Sequence, residues 1–191
     1  KKLLNVSTQI LGDICNEVNS GITTGHKTAF IIDKKVAINN QLEEKNLYKT
    51  LEGRNLKQFK INYDNKVIIY TNKDFSSIEN KNVIKYLETF KDELSLRSEV
   101  KQDIKKWYSL GRARGNNLLL PPKIMCRETG DSIISSFDDF GYYPMNTIIC
   151  IKLMNDDYIL HKSICCLLNS NLMNFLFKAI SQEDGRTFAK V

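Results

Sequence analysis

A glycine-bounded segment and an apolar run adjoin in the sequence Gly21-Ile-Thr-Thr-Gly-His-Lys-Thr-Ala-Phe-Ile-Ile32. Glycine reaches positive φ angles and lets a second backbone approach closely, so residues 21–25 are predicted to form a loop between strands. Apolar, β-branched runs bounded by Gly, Asn and Asp predict the strands themselves, at residues 10–15, 29–32 and 67–70. Residues 1–75 are therefore predicted to be rich in β-structure.

Helix signals begin at Ser76, which forms an S-x-x-E capping box with Glu79. Apolar residues then recur at the spacing of a buried helical stripe, at Val83, Leu87, Phe90 and Leu94. A shorter helical pattern follows and is broken by two glycines; its apolar members are Val100, Ile104 and Trp107. Residues 76–110 are therefore predicted to be helical.

Strand character returns at residues 123–127 and 147–153, which places strands within residues 120–155. The last third of the chain has a broad apolar face at helical spacing, interrupted by Asn169-Ser170-Asn171. Because Ser and Asn favour helix caps, one helix is predicted to end near Leu168 and a second to be capped by Ser170. Residues 160–180 are thus predicted to form an antiparallel helix pair.

The chain has 191 residues, of which 42% are hydrophobic, and this composition is typical of one soluble globular domain. No apolar run approaches the ~20 residues of a membrane span, so no membrane partner is expected. The five cysteines are odd in number and contain no C-x-x-C pair, which favours reduced thiols and a cytoplasmic protein. Because the chain begins Lys1-Lys2 without Met, we expect it to be a fragment of a larger protein.

Positive charge is concentrated in one part of the chain. The net charge is +6, and the stretch from Arg97 to Arg127 carries the whole excess with eight basic and two acidic residues. Such a local stripe attracts a polyanion, and on charge alone a solvated basic face is an equally good interpretation.

No motif for catalysis or metal binding is complete. His161 and Cys165 have the spacing of two metal ligands on a helix, but two ligands do not make a site. Glu99-Val-Lys101 fits half of a nuclease motif that requires a strand, and here it falls on a helical pattern. The N-P-P-[FYW] signature of adenine methyltransferases and a glycine-rich loop for S-adenosylmethionine are both missing. We therefore predict no catalytic residue, metal or cofactor in this chain.

Several short motifs, taken in order, resemble one family. They are Leu11-Gly-Asp-Ile-Cys15 with the Gly21–Ile32 stretch, Leu51-Glu-Gly-Arg-Asn-Leu-Lys-Gln-Phe59, Leu94 to Arg97, Trp107-Tyr-Ser-Leu110, Pro122-Lys-Ile124 and Leu167-Leu-Asn-Ser170. Their order resembles the TaqI-type C-terminal specificity domain. This is the target recognition domain of adenine DNA methyltransferases and of type II restriction–modification enzymes, and it is related to type I specificity subunits. His26-Lys27 stands where the family often has Asn.

The resemblance implies an α+β fold, with a curved β-sheet body, packed helices and the C-terminal antiparallel helix pair. It implies that residues 1–191 are a single target recognition domain that binds double-stranded DNA sequence-specifically. Catalysis would lie in the methyltransferase or nuclease domains of the parent, so this chain alone would not be an enzyme. S-adenosylmethionine and Mg are implied only for those other domains.

Two groups of residues are candidates for binding phosphates. The basic side chains are Lys101, Lys105, Lys106, Arg112 and Arg114. The glycine loop offers Thr23, Thr24 and the amide groups around Gly25, where a plain structural turn is nearly as good an interpretation.

The sequence Pro122-Lys-Ile-Met-Cys-Arg-Glu-Thr-Gly130 predicts a strand that runs into a loop. Period-2 alternation places Ile124 and Cys126 on the core face and turns the others outward. The candidate base-reading residues are therefore Lys123, Met125, Arg127, Glu128 and Thr129. Arg can contact guanine and Glu can accept from cytosine; the alternative is a surface ion pair of Arg127 with Glu128 or Asp131.

An alternative function is a non-catalytic module that binds single-stranded nucleic acid or a protein partner. Trp107 and Tyr108 lie beside lysines and could stack on bases. The competing interpretation, which we favour, is that Trp107 packs in the core with Val100 and Ile104.

Overall fold

A computed structural model describes residues 10–181 of the chain. Within this range the chain forms ten short strands, which are β1 (Cys15–Ser20), β2 (Ile31–Asp33), β3 (Leu47–Leu51), β4 (Leu56–Lys57), β5 (Lys60–Ile61), β6 (Lys66–Ile69), β7 (Lys123–Arg127), β8 (Ser135–Asp138), β9 (Tyr143–Pro144) and β10 (Ile148–Leu153). The helices are α1 (Lys27–Phe30), α2 (Lys34–Asn39), α3 (Lys81–Glu88), α4 (Lys91–Ser95), α5 (Ser98–Lys101), α6 (Asn116–Leu119), α7 (Tyr158–Leu168) and α8 (Asn171–Ser181).

The strands form two four-stranded sheets and a hairpin. The first sheet has the order β1-β10-β7-β8 and is antiparallel throughout. The second has the order β2-β6-β3-β9, in which only the β3–β9 pair is parallel. Strands β4 and β5 form the hairpin, and the α+β class is confirmed.

Apolar side chains cover both faces of the first sheet. On one face, Ile124 and Cys126 of β7 pack with Ile164 and Leu168 of α7. On the other face, Met125 packs in a cluster with Leu51, Leu56, Leu118, Ile148 and Cys150. A third and larger core lies between the second sheet and α3 and α4.

Several elements of the structure differ in type or in bounds from those predicted from the sequence. Strands 67–70, 123–127 and 147–153 are confirmed within one residue at each end. Residues 11–14 instead form a 3-10 turn and 27–30 a helical turn, each leading into a strand. The helix predicted from Ser76 begins at Lys81, where the Glu43 carboxylate accepts hydrogen bonds from the amides of Asn82 and Val83.

The C-terminal helix pair is confirmed, but it is not antiparallel. Helix α7 ends at Leu168, and Ser170 caps α8 by accepting a 3.2 Å hydrogen bond from the Met173 amide. The two axes are bent by 61° at this break, far from the reversal of a hairpin. Within the described range no single helix is long and apolar enough to cross a membrane, while this bent pair together has the length and composition.

Candidate nucleic-acid interface

The glycine loop and the end of the basic stretch are joined by backbone hydrogen bonds. Thr23 and Arg112 exchange amide-to-carbonyl bonds of 3.0 and 2.7 Å, and the Gly111 amide donates to Thr24 at 3.0 Å. A Cβ on Gly111 would lie 3.1 Å from the Gly25 nitrogen and from the Thr23 oxygen. A side chain at this position would press on both neighbouring backbones, so glycine favours their close approach.

Two guanidinium groups converge on the end of β1. The Arg112 and Arg114 Nη2 atoms both donate to the Ser20 hydroxyl, at 2.9 and 3.0 Å, and Arg114 Nε donates to the Gly21 carbonyl at 3.2 Å. Burial, with the charge of Arg112 as a second cause, lowers the pKa of Arg114 from its usual value. The arrangement fixes two positive charges beside the glycine loop.

Other basic groups of the stretch stabilise the loop that carries them. Arg97 donates to the carbonyls of Trp107, Ser109 and Leu94, at 2.6, 2.8 and 3.0 Å. Burial lowers the pKa of Arg97, and the Lys105 ammonium is bonded to the Gly111 carbonyl. Arg97 and Lys105 therefore hold the segment after α5 against the glycine loop.

The predicted phosphate contacts are only partly brought together. Thr23, Gly25, Lys105, Arg112 and Arg114 lie around the junction just described. Thr24 is buried, while Lys101 and Lys106 are exposed.

The cations of the Arg97–Arg114 stretch form no direct ion pair with a carboxylate in the described part of the chain. A cleft of about 210 Å³ between Gly25, Gly111 and α5 is lined by Arg97 and Lys105 and by one acid, Glu99. The junction therefore presents net positive charge to solvent.

The prediction that Lys123 and Met125 project outward to read bases is wrong. Both side chains are fully buried, and the Lys123 ammonium forms a 2.6 Å ion pair with the equally buried Asp138. Strand β7 is interior in its sheet and is covered on both faces, so alternation no longer separates a core side from a solvent side. Met125 occupies the second core face, and Lys123 is a structural cation.

Arg127 is engaged in the fold as well. Its Nε and Nη2 atoms donate to the Leu56 carbonyl at 3.1 and 2.6 Å. Within the described chain, neither Glu128 nor Asp131 lies within ion-pairing distance of it, so the surface ion pair is also absent there. Glu128 is half-buried and Thr129 exposed, and their reading of bases stays a prediction.

Sequence reasoning missed the hairpin that Arg127 supports. Strands β4 and β5 are joined by the two-residue turn Gln58-Phe59, and Lys57 pairs with Lys60 directly across it. Two-residue hairpin turns usually contain Gly or Asn, and this one contains neither. The Leu51–Phe59 motif ends within this hairpin, and the turn itself is marked in the sequence by an aromatic residue flanked by lysines, Lys57-Gln-Phe-Lys60.

The register of the first sheet places the hairpin and the arginine junction at the same end. Ser20 pairs with Ile149, Ile149 with Cys126, and Cys126 with Ser135. The arginines bond to Ser20 at one side of this row, and the Phe59 amide donates to Ser135 at the other. Three strand spacings separate the two sides, about 14 Å. We call this surface the basic end.

The aromatic residues proposed for base stacking belong to the core. Trp107 and Tyr108 are partly buried against the larger core and meet edge to face at 5.5 Å. The Lys91 ammonium lies 5.4 Å from the centre of the Trp107 ring. Packing of Trp107 in the core is confirmed, although Val100 is half-buried and Ile104 exposed rather than packed with it.

The histidine–cysteine pair is part of the α7 packing. The buried His161 places Nδ1 2.7 Å from the Asp157 carbonyl oxygen, and Cys165 Sγ lies 3.3 Å from the Ser135 hydroxyl. Over the described part of the chain, no three His, Cys, Asp or Glu side chains converge as metal ligands would. That the chain has no metal or catalytic residue stays a prediction.

Comparison with known proteins relates the chain to one family and one fold. The family model of the TaqI-like C-terminal specificity domain matches residues 48–191. A solved structure of the type IIL restriction–modification enzyme MmeI in complex with DNA is similar, with a TM-score of 0.68 and 12% sequence identity. The similarity covers 97% of this chain and 24% of that one, so this chain spans about a quarter of that enzyme. No curated protein matches.

Proposed function

The chain belongs to the family of TaqI-like C-terminal specificity domains, and we propose that it binds duplex DNA sequence-specifically as the target recognition domain of a restriction–modification enzyme or DNA methyltransferase. The basic end is the surface that supports this proposal best. It carries cations that the described part of the fold leaves without carboxylate partners. When such cations bind the phosphates of DNA, condensed counterions are released, and this release favours binding.

The proposal assigns chemistry to other parts of the parent protein. Methyl transfer or cleavage, with S-adenosylmethionine and Mg, would belong to further domains, and this domain would deliver them to the target sequence. The basic groups near the glycine loop are themselves held in place by the fold. Arg97, Lys105, Arg112 and Arg114 all donate to carbonyl or hydroxyl oxygens of the chain, which suits a rigid binding surface.

Equilibrium binding of the full chain to labelled DNA tests the proposal. We expect a random-sequence duplex to compete better than its separated single strands, and the logarithm of affinity to fall linearly with that of salt concentration. Equal or better competition by the single strand would instead support the single-strand module.

The basic stretch provides a sharper variant. Lys101→Ala with Lys106→Ala removes two exposed charges, and each lost phosphate contact should flatten the salt slope by about 0.9. Lys35→Ala with Lys85→Ala removes two exposed lysines outside the stretch and should leave the slope unchanged. Equal effects of the two pairs would mean that net charge, and not this stretch of the chain, governs binding.

A further inference from the structure

The tip of the β4–β5 hairpin holds an exposed aromatic side chain in a strained backbone conformation. Phe59 is 60% exposed and its φ angle is +62°. L-residues with a bulky side chain rarely adopt this left-handed region, which glycine and asparagine tolerate. The fold gains little packing from the exposed ring in return, so an outlier of this kind points to a role outside the fold.

Two lysines at the same tip are also unfavourable for the isolated fold. Lys57 and Lys60 pair directly across the hairpin, and both are exposed. Like charges at directly opposite positions destabilise a strand pair. Among residues 10–181, neither lysine has a carboxylate within ion-pairing distance. A pair of phosphates would remove this repulsion.

The base of the hairpin, by contrast, is firmly held by the first sheet. The Ser136 hydroxyl lies 2.7 Å from the Lys57 carbonyl oxygen and 3.1 Å from that of Lys60. Arg127 donates to the Leu56 carbonyl, and the Phe59 amide donates to Ser135 at 3.0 Å. The tip is therefore presented in a fixed position at the basic end.

We propose that Phe59 inserts between two adjacent base pairs of the bound duplex while Lys57 and Lys60 bind the phosphates beside them. Apolar side chains used as wedges in this way unstack a base step and kink the duplex. A rigid hairpin favours insertion, because the hairpin must keep its conformation while the ring separates the two base pairs. The inference rests on the proposed function, since it requires that the chain bind duplex DNA, and it makes Arg127 a positioning residue.

The test compares two equally exposed phenylalanines. Phe59→Asn removes the ring and keeps a residue that tolerates positive φ. Phe140→Asn makes the same change at a residue that is 57% exposed and lies beyond Asp138, at the opposite end of β8. Binding is measured on duplexes that carry 2-aminopurine at successive positions, because the fluorescence of this base rises when it is unstacked.

We expect the wild-type chain and Phe140→Asn to raise the fluorescence at one step, and Phe59→Asn to abolish that rise. Affinity should fall roughly five- to hundredfold for Phe59→Asn, the range for loss of one aromatic contact with a base. Its melting temperature should stay the same or increase, because the backbone strain is relieved. Loss of binding together with a gain in stability is not the behaviour of a structural residue.

Each alternative outcome has a distinct meaning. If Phe59→Asn binds with wild-type affinity and gives the same fluorescence change, the wedge is refuted while the proposed function stands. If the wild-type chain binds no duplex, the proposed function itself is refuted, and the wedge with it. Lys57→Ala supplies an independent check, since it should weaken duplex binding and flatten the salt slope by about 0.9 without lowering stability.

Discussion

Replacement of Lys123 distinguishes two roles for this residue, a structural cation and a side chain that contacts DNA bases. The Lys123 ammonium is fully buried, pairs with Asp138 at 2.6 Å and donates to the Leu119 carbonyl at 2.5 Å. The Asp138 carboxylate also accepts from the amides of Phe140, Gly141 and Tyr142, each at 3.0 Å. Lys123→Met keeps most of the volume of the stem but leaves this carboxylate buried without its cation.

Removal of one partner of a buried ion pair costs about 3–5 kcal/mol. The three amide bonds to Asp138 remain, so we expect the lower end of this range, about 3 kcal/mol. This is a large share of the roughly 5–15 kcal/mol that stabilises a domain. Urea denaturation measures the loss as a fall in the midpoint at unchanged slope.

A double-mutant cycle with Asp138→Asn completes the measurement. The two single variants should each be strongly destabilised, and the double variant should lose much less than their sum, because neither charge is then left alone. The folded fraction of Lys123→Met should bind DNA as the wild type does. A loss of stability below 1 kcal/mol, with specificity relaxed at one base pair, would refute the buried-pair reasoning.

Three further predictions concern the stability and reactivity of the fold. Gly25→Ala should lower stability by about 1–2 kcal/mol in thermal unfolding, because φ is +76° there; an unchanged melting temperature would contradict this. Cys166 is exposed and should react first with a thiol reagent, whereas burial raises the pKa of Cys150 to about 12 and should delay its reaction until unfolding; equal rates would be inconsistent with this. Asn169→Ala removes two 2.9 Å hydrogen bonds to the Ser135 backbone and should cost about 1–3 kcal/mol in denaturant; a loss below 0.5 kcal/mol would show that water replaces them.

Local patterns in the sequence predict the elements whose environment is simple. Strand β7, strand β10 and the cap at Ser170 follow from apolar runs and capping chemistry. The orientation of β7 side chains does not follow, because it depends on a second core that non-local residues such as Leu51 and Leu118 build. The period-2 pattern separates core from solvent only when one face of the strand is exposed to solvent, and both faces of β7 are buried along most of its length.

The sequence was sufficient to predict where the positive charge of the candidate interface lies, but not how its side chains are arranged. The basic stretch and the glycine loop are visible in the sequence, and the structure brings them together. The roles of Arg97 and Lys105 depend on carbonyl groups that only the folded loop presents, so the sequence cannot separate them from Lys101 and Lys106. The hairpin turn could not be predicted from its residues, since Phe59 occupies the position of positive φ that Gly or Asn normally takes.

Selection of binding sites from a randomised duplex library tests the central claim most directly. The wild-type chain should enrich one sequence motif and bind it about a thousandfold or more tightly than random duplex at physiological salt. Recovery of the library without an enriched motif, at any salt concentration, would show that the chain does not recognise a DNA sequence by itself and would contradict the proposed function.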